Sequence, residues 1–486
     1  MNWWLMWVIV FLVVIFTVSI IYSRKIKTAD DYVMANFSLG FFPICGSVIA
    51  TVTGSAALIG GAGKGFEMGI AYIITGISYV SFTILAVTIL GPTIRKLKLY
   101  TIPELFVRRF GKGTALIPAL IIAFLYMTPT FGMQLVGMSS ILSAIIDIPV
   151  TWGILLGFFI AVAFTLLGGM PSVAWTDAIQ TVVILAGVIL VFILGLNYAG
   201  GAGQVIKNTP DDLFNFFSIG GKELMNWFLV FGPFYIVWQT TWQRVSAAKS
   251  VKTGVWSVNI GFIISGLIGL LAVLIGIMAL QTLPANTDPD LVYIDFMINV
   301  FHPAIGGLFL VSLLAALLTG ATSFLLSGAI NISKDIYQGW VAPDAKDAQV
   351  LKAARISVAS MAILGLFIAL YITDIIKIYQ IALSFTAVTL VMPVLATMFW
   401  KRATKKGATA SIIGSMLVSF TWYLLGKPFG IHEILPGLIT SFVLLIVVSV
   451  FTKHSRDEEV ISYYYASKEG QGSGFESLEE EDKREA

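Results

Sequence analysis

Three hydroxyls fall at i, i+3 and i+4 in the run LAALLTGATSFLLSGAINISKDIY: Thr319, Thr322 and Ser323. On a helix they share one face, and Ser327 continues it. A hard monovalent cation is held best by several oxygens, and hydroxyls joined to freed helix carbonyls provide them with little buried countercharge. The other use of such residues is as helix glue, each hydroxyl bonding back to the preceding turn. Asp177, in GGMPSVAWTDAIQ, stands inside an apolar run. Burying a carboxylate there costs on the order of 2.5–3.5 kcal/mol even on lenient scales, so it points to function, the other reading being a helix-start carboxylate favoured by the dipole. Lys64 and Glu67 lie three apart. Either they pair and extend toward the surface, or Lys64 meets an anionic solute or stands in for a cation.

The element that must position these groups is IATVTGSAALIGGAGKGFEMG, residues 49–69, an apolar helix filled with glycine and small hydroxyls. Its residues predict a break around Val52, Thr53, Gly54 and Ser55. Broken backbone at membrane depth survives only where it lines a cavity or binds something. A second break is expected at Gly232-Pro233, since proline removes a donor and clashes with the preceding turn. Small residues also serve close helix packing, but interrupted helices at equivalent places in two halves mark the solute site of inverted-repeat transporters. The two breaks stand five spans apart, which predicts repeats at about 39–199 and 223–400.

Over 486 residues, 57% are hydrophobic and 12% charged, and mean hydropathy is +0.90, which describes a polytopic, all-α membrane protein. Apolar runs of spanning length recur thirteen times, near 3–22, 39–66, 70–94, 114–145, 149–169, 171–199, 223–246, 253–281, 304–333, 354–373, 375–400, 407–426 and 433–452. With the N-terminus outside, 25 of the 30 basic residues fall on the inside, among them Arg24, Lys25, Lys27, Arg244 and Lys249, which predicts N-out and C-in. The first run lacks a basic flank before it and a cleavage site after it, so it reads as a retained helix. The domain expectation is a transmembrane unit at 1–452 and a flexible, acidic cytoplasmic tail at 453–486. Short surface helices are expected near 200–222, 282–303 and 335–353.

Cys45 is the only cysteine, and three scattered histidines make a histidine metal site unexpected. No aromatic-basic pattern suggests nucleic acid, and no nucleophile, base and metal constellation suggests an enzyme. The expected partners are a small solute, a coupling cation and the lipid bilayer, with no cofactor beyond Na+ or H+.

Six segments together resemble the sodium:solute symporter family, which includes bacterial proline, sugar and sialic acid symporters: TADDYVMANFSLG at 28–40, YTIPELFVRRFG at 100–111, FTLLGGMPSVAWTDAIQ at 164–180, WQTTWQRVSAAKS at 238–250, LAALLTGATSFLLSGAINISKDIY at 314–337 and FWKRATKKGA at 399–408. The resemblance implies an inverted five-plus-five bundle of the leucine-transporter type with extra helices. It implies a sodium site from the carbonyls of Ala50, Thr53 and Ala316 and the hydroxyl of Thr319. The family's second hydroxyl position is Gly320 here, so this site is one ligand short, and Gly320→Ser is expected to strengthen sodium dependence. A second, inner cation site implied for some members maps to Thr322, Ser323 and Asp177.

The resemblance also bears on the solute. Trp238 replaces the asparagine of a sugar symporter, and Gly54, Ala56 and Ala57 replace polar positions, which speaks against galactose or glucose. A small solute with an apolar body fits better, a monocarboxylate, an amino acid or a vitamin-like acid, with Thr51, Ser55, Gln134, Tyr235, Trp238, Gln239 and Lys64 as candidate contacts. The expectation is a secondary active symporter of the cell membrane that takes up solute by alternating access. Proton coupling through Asp177 or Lys64, a transporter-like sensor and a channel are the alternatives.

Overall fold

The computed structural model describes residues 3–23 and 28–453. Arg24, Lys25 and Lys27, and the acidic tail from 454 onward, lie outside the described residues.

Among the described residues the chain is built from helices, and eleven of these stretches are long and apolar enough to cross a membrane. One of the eleven, Ser55–Lys96, divides at Gly69; taking Ser55–Met68 with Phe41–Val52 as one broken segment, 41–68, and adding the second, 220–247, gives thirteen segments, the number expected. Numbering the crossing pieces in chain order, α1 is Trp3–Ser23, α2 Phe41–Val52, α3 Ser55–Met68, α4 Ile73–Lys96 and α5 Thr128–Ile146. A π-helical turn, Ile121–Met127, leads into α5. Next come α6 Val150–Leu167 and α7 Gly169–Tyr198. The second broken segment supplies α8 Gly220–Phe231 and α9 Gln239–Ala247, followed by α10 Val251–Ala279. The remainder are α11 Pro303–Ile330, α12 Asp347–Tyr371, α13 Ile375–Phe399, α14 Lys405–Leu424 and α15 Ile434–Phe451.

Burial sorts these helices as hydrocarbon requires. The outer ones turn bare apolar side chains outward, such as Val13, Ile193, Phe367 and Leu417, while α11 is buried along most of its length. A helix apolar all round belongs either in lipid or at the centre of a large bundle, and α11 takes the centre. Its hydroxyls, Thr319, Thr322, Ser323 and Ser327, are therefore all shut away from the bilayer.

Three connections fix the ends. The short helix Ile102–Phe110 starts on a reciprocal cap, Glu104 N–H donating to Thr101 Oγ1 at 3.2 Å and Tyr100 N–H to Glu104 Oε2 at 2.8 Å. Leu39 exchanges backbone hydrogen bonds with the end of α9, its N–H to Ala247 O at 3.0 Å and Lys249 N–H to its carbonyl at 2.9 Å. The entry to one broken segment is thus tied to the exit of the other. The expected surface helices also form, at Ala202–Asn208 and Val292–Val300, and α11 continues as a π-helix over Asn331–Val341.

The α6–α7 junction shows why a glycine stands there. Gly169 has φ +55°, and a Cβ on it would lie 2.5 Å from Tyr32 Cδ2. Gly169→Ala would have to adopt a left-handed backbone and push Tyr32 aside, a cost of about 1–3 kcal/mol for the backbone alone. A clearly lower melting temperature in detergent is the expected result.

The connection after α10 yields a second prediction. Asp290 accepts the Ile375 N–H at 3.3 Å, at the start of α13. Burial lifts its pKa to about 6, with the Ile375 bond opposing and Asp374 and Asp288 adding to the rise. A carboxyl whose folded pKa is raised contributes stability that is present below its unfolded value, near 4, and is lost as pH rises through about 6. Hydrogen-exchange protection in 284–291, corrected for the intrinsic pH dependence of exchange, should therefore fall between these pH values, and Asp290→Asn should remove that fall.

Candidate functional site

Both expected breaks are present. After α2, Thr53 and Gly54 leave helical geometry before α3 begins at Ser55. The last turn of α2 is closed by Thr53 N–H and its hydroxyl, both donating to Ile49 O, at 3.0 and 2.7 Å. Among the described hydrogen bonds, none reaches the carbonyls of Ala50, Thr51, Val52 or Thr53. These are the oxygens a cation could take at membrane depth. In the other segment, α8 ends at Phe231, a 3₁₀ turn runs over Pro233–Val237, and Trp238 is extended before α9.

Around the first break the candidate residues separate into distinct groups. Gln134, from α5, reaches it: Ser55 N–H donates to Gln134 Oε1 at 3.0 Å. The hydroxyl of Ser55 lies 3.5 Å from Met133 O. Thr319, on α11, donates its hydroxyl hydrogen to Gln180 Oε1 at 2.6 Å, which leaves its oxygen lone pairs for another partner. Ala316 sits one turn earlier on α11, fully buried. Gly320 does not face open space: a Cβ there would lie 2.9 Å from Gln134 Cδ and Nε2. The added hydroxyl of Gly320→Ser, expected from sequence to complete the site, would meet the Gln134 carboxamide.

The inner group centres on an arginine that the charge count placed in a loop. Arg244, on α9, is 2% exposed, and its guanidinium lies 3.7 Å from Asp177 Oδ2. The placement of Arg244 in an inner loop is thereby corrected. Ser47 bridges the pair, donating to Asp177 Oδ2 at 2.5 Å and accepting Arg244 Nη2 and Nε at 2.8 and 3.1 Å. Arg244 Nη2 also donates to Ser323 Oγ at 2.9 Å, and Ser323 shares a hydrogen bond with Thr51 at 3.1 Å. Thr322 turns its hydroxyl back to Thr319 O at 3.0 Å, the glue use of a membrane threonine. Three of the candidates, Asp177, Ser323 and Thr51, thus meet around a guanidinium. Among the described residues, Asp177 Oδ1 receives no hydrogen bond. A fully buried carboxylate with one bare oxygen can accept a second cation, or a proton, on that side.

Tyr235 and Trp238 belong to a third group. Tyr235 packs edge-on against Trp238 and Phe262, and its hydroxyl lies 2.8 Å from that of Tyr379. Beside them a cavity of about 300 Å³ runs along the first break, bounded by Val52, Ala56, Ala57, Tyr79, Tyr235 and Tyr379. The hydroxyl of Tyr79 and the indole N–H of Trp238 are buried without hydrogen-bond partners. Trp238 does not itself line the cavity; Tyr72, Thr75, Tyr79, Tyr235 and Tyr379 do, in a wall that is mostly apolar, the usual make-up of a small-molecule site.

Gln239 and Lys64 stand apart from that cavity. Gln239 exchanges hydrogen bonds with the Asn331 side chain, at 2.5 and 3.0 Å, and receives Ile102 N–H at 3.3 Å. Asn331 holds Asp335 Oδ2 at 3.0 Å, Thr101 holds Asp335 Oδ1 at 2.8 Å, and Ser327 donates to Gln243 Oε1 at 2.7 Å. This lattice sews α9 and the end of α11 to the 101–110 helix. Lys64 pairs with Glu67 at 2.5 Å on the partly exposed end of α3. Ser47, Gln180, Gln243, Arg244, Asn331 and Asp335 were not singled out from sequence. Most lie in segments with a family likeness, and Arg244 beside an apolar run was the signal available.

The family model of the sodium:solute symporter family matches residues 32–414. The high-affinity proline transporter of Bacillus subtilis (strain 168) is 26% identical over 448 residues, covering 88% of this chain and 94% of that protein. The sodium/glucose cotransporter of Vibrio parahaemolyticus is 24% identical, covering 89% and 86%. Among solved structures, the substrate-bound outward-open state of a Na+-coupled sialic acid symporter superposes with a TM-score of 0.80 at 18% identity, over 93% of this chain and 99% of that one. The nucleobase-cation-symport transporter Mhp1 follows with 0.64 at 14% identity, over 89% and 97%. The fold is the leucine-transporter-type five-plus-five bundle with extra helices. With a match across most of its length, this chain belongs to the sodium:solute symporter family.

Proposed function

We propose that this protein is a Na+-driven uptake symporter for a small organic solute with an apolar body: a monocarboxylate, an amino acid or a vitamin-like acid. The observation that carries the reading is the apolar, tyrosine-ended cavity laid directly against an unwound helix whose carbonyls are free. Sodium and solute then share one structural element. A cation that orders the break raises solute affinity, and solute raises cation affinity by the same factor. The site comprises Ala50, Thr53, Ala316 and Thr319 for the cation and Val52, Ala57, Tyr235 and Trp238 for the solute. The repeats are 39–199 and 223–400, and the protein sits in the cell membrane with its N-terminus outside. In that orientation α3 and α8 form the outer halves, the cavity opens among them, and the lattice of Gln239, Asn331 and Asp335 closes the inner side. Each positive charge moving inward supplies about 2.3 kcal/mol per 100 mV.

Arg244 gives the inner group a different role from a standing sodium site. Its guanidinium already supplies the positive charge between Asp177 and Ser323, so a sodium ion on those oxygens requires Arg244 to withdraw. A proton-coupled reading rests on the bare Oδ1 of Asp177.

The deciding experiment is uptake into proteoliposomes under a sodium gradient, then a proton gradient, with voltage clamped. Sodium-driven accumulation of a solute from the named classes is expected; proton drive alone would replace the coupling ion, and no accumulation would end the symporter reading. In the same assay Asp177→Asn should reduce uptake at least tenfold, because it strands a buried guanidinium at a cost of about 3–5 kcal/mol. Unchanged uptake would remove the pair from the mechanism. Gly76→Phe points a ring into the cavity from a position where an added Cβ meets no atom within 4 Å. It should raise the KM for solute several-fold and leave sodium binding intact.

A further inference from the structure

Gln134 stands where two glycines make room for it. It is 1% exposed, and its carboxamide is wedged between the first break and α11. A Cβ on Gly54 would lie 2.7 Å from Gln134 Nε2 and 3.1 Å from Oε1, and one on Gly320 would lie 2.9 Å from Cδ. Contacts that short exclude any side chain at either position while the carboxamide stays. The amide is also oriented. Oε1 takes the Ser55 N–H, so the oxygen faces the first residue after the unwound turn, beside the carbonyls that receive no hydrogen bond. A carboxamide oxygen has two lone pairs, and Ser55 occupies one.

The neighbouring hydroxyl is prepared in the same sense. Thr319 precedes Gly320 on α11, and with its hydrogen given to Gln180 its oxygen keeps lone pairs for a cation. Gln134 touches the space beside both Gly54 and Gly320, so three elements bring neutral oxygens to the neighbourhood of the break: carbonyls of α2, a hydroxyl of α11 and a carboxamide of α5. Neutral oxygens suit a hard monovalent ion, which needs several ligands and little countercharge.

We infer that Gln134 Oε1 is a ligand of the coupling sodium ion, supplying from α5 the oxygen that Gly320 does not supply from α11. Gly54 and Gly320 are then specificity positions for Gln134, since a larger residue at either displaces the ligand. A hydroxyl at 320 and a carboxamide at 134 compete for the same space, so each can replace the other but both cannot be present. The inference rests on the sodium-coupled reading above.

The test is sodium binding to the purified full chain, titrated against choline and followed by tryptophan fluorescence and by displacement of radiolabelled sodium. Gln134→Leu keeps the volume and removes the oxygen; it should weaken sodium binding about tenfold or more, lower the sodium-free melting temperature through the stranded Ser55 N–H, and abolish the further rise in melting temperature that sodium gives the wild type. Gly320→Ser alone should also weaken binding, through its clash. The double variant Gln134→Ala with Gly320→Ser exchanges carboxamide for hydroxyl and should recover affinity to within a few-fold of the wild type. Wild-type-like sodium affinity in Gln134→Leu would overturn the inference, as would a folded double variant no better than Gln134→Ala. If the wild type itself shows neither saturable sodium binding nor sodium-driven uptake, the symporter reading falls, and that result differs from either of these.

Discussion

Hydrocarbon offers no partner to a peptide group, and the architecture follows from where this chain leaves peptide groups unpaired. Thr53 and Gly54 interrupt one crossing segment, and among the described residues the carbonyls of Ala50 to Thr53 receive no hydrogen bond. Such a turn can exist only inside a shell of other helices. The shell is what the remaining crossings provide, with α11 buried along most of its length against it and α5 and α10 on either side. The lipid-facing helices need only be apolar, which explains why so much of the chain reads as uniform hydrophobic runs. The residues next to the break must instead be small or amide-bearing, because they approach unpaired backbone at close range.

Polar groups near the break are arranged in layers that face different tasks. Beside the cavity, Tyr72, Tyr79, Tyr235 and Tyr379 bring phenol rings to a mostly apolar wall. Deeper, Asp177 and Arg244 confront each other through Ser47, a buried ion pair held by hydrogen bonds to both partners. Buried pairs of this kind contribute little net stability and much dependence on both members being present. Further along, Gln239, Asn331, Asp335 and Thr101 close the end of the bundle with neutral amides and one carboxylate. Arg244 and Gln239 lie on the same short helix, α9, and Leu39 binds the end of that helix to the approach of α2. Movement of one broken segment is therefore mechanically joined to the other, which suits a device that opens to alternate sides.

How much of this was legible depends on whether the signal is local. Glycine and small residues at 52–55 and proline at 233 mark breaks because they act on their own backbone, and both breaks fall where these residues stand. Helix count and the family follow from runs and motifs that are contiguous in the chain, whereas the central position of the hydroxyl-bearing span is seen only in the fold. Lys64 and Glu67, three apart on one helix, pair as helical spacing suggests.

Nothing local distinguishes Gln134 as a partner of Gly320, or Arg244 as a partner of Asp177, because 186 and 67 residues separate them in the chain. Read along the chain, Arg244 is one more basic residue beside an inner loop, Gly320 is a missing hydroxyl, and Gln239 is one more polar contact for a solute. Packing of helices around the break reassigns each of them: the arginine lies between Asp177 and Ser323, a carboxamide fills the space at the glycine, and Gln239 joins the lattice with Asn331 and Asp335. Periodicity, breaks and charge asymmetry are properties of neighbours in sequence and so were determined by the sequence itself. Which polar side chain meets which was decided only by the tertiary structure, because close packing sets those distances to fractions of an ångström between residues that the chain keeps far apart.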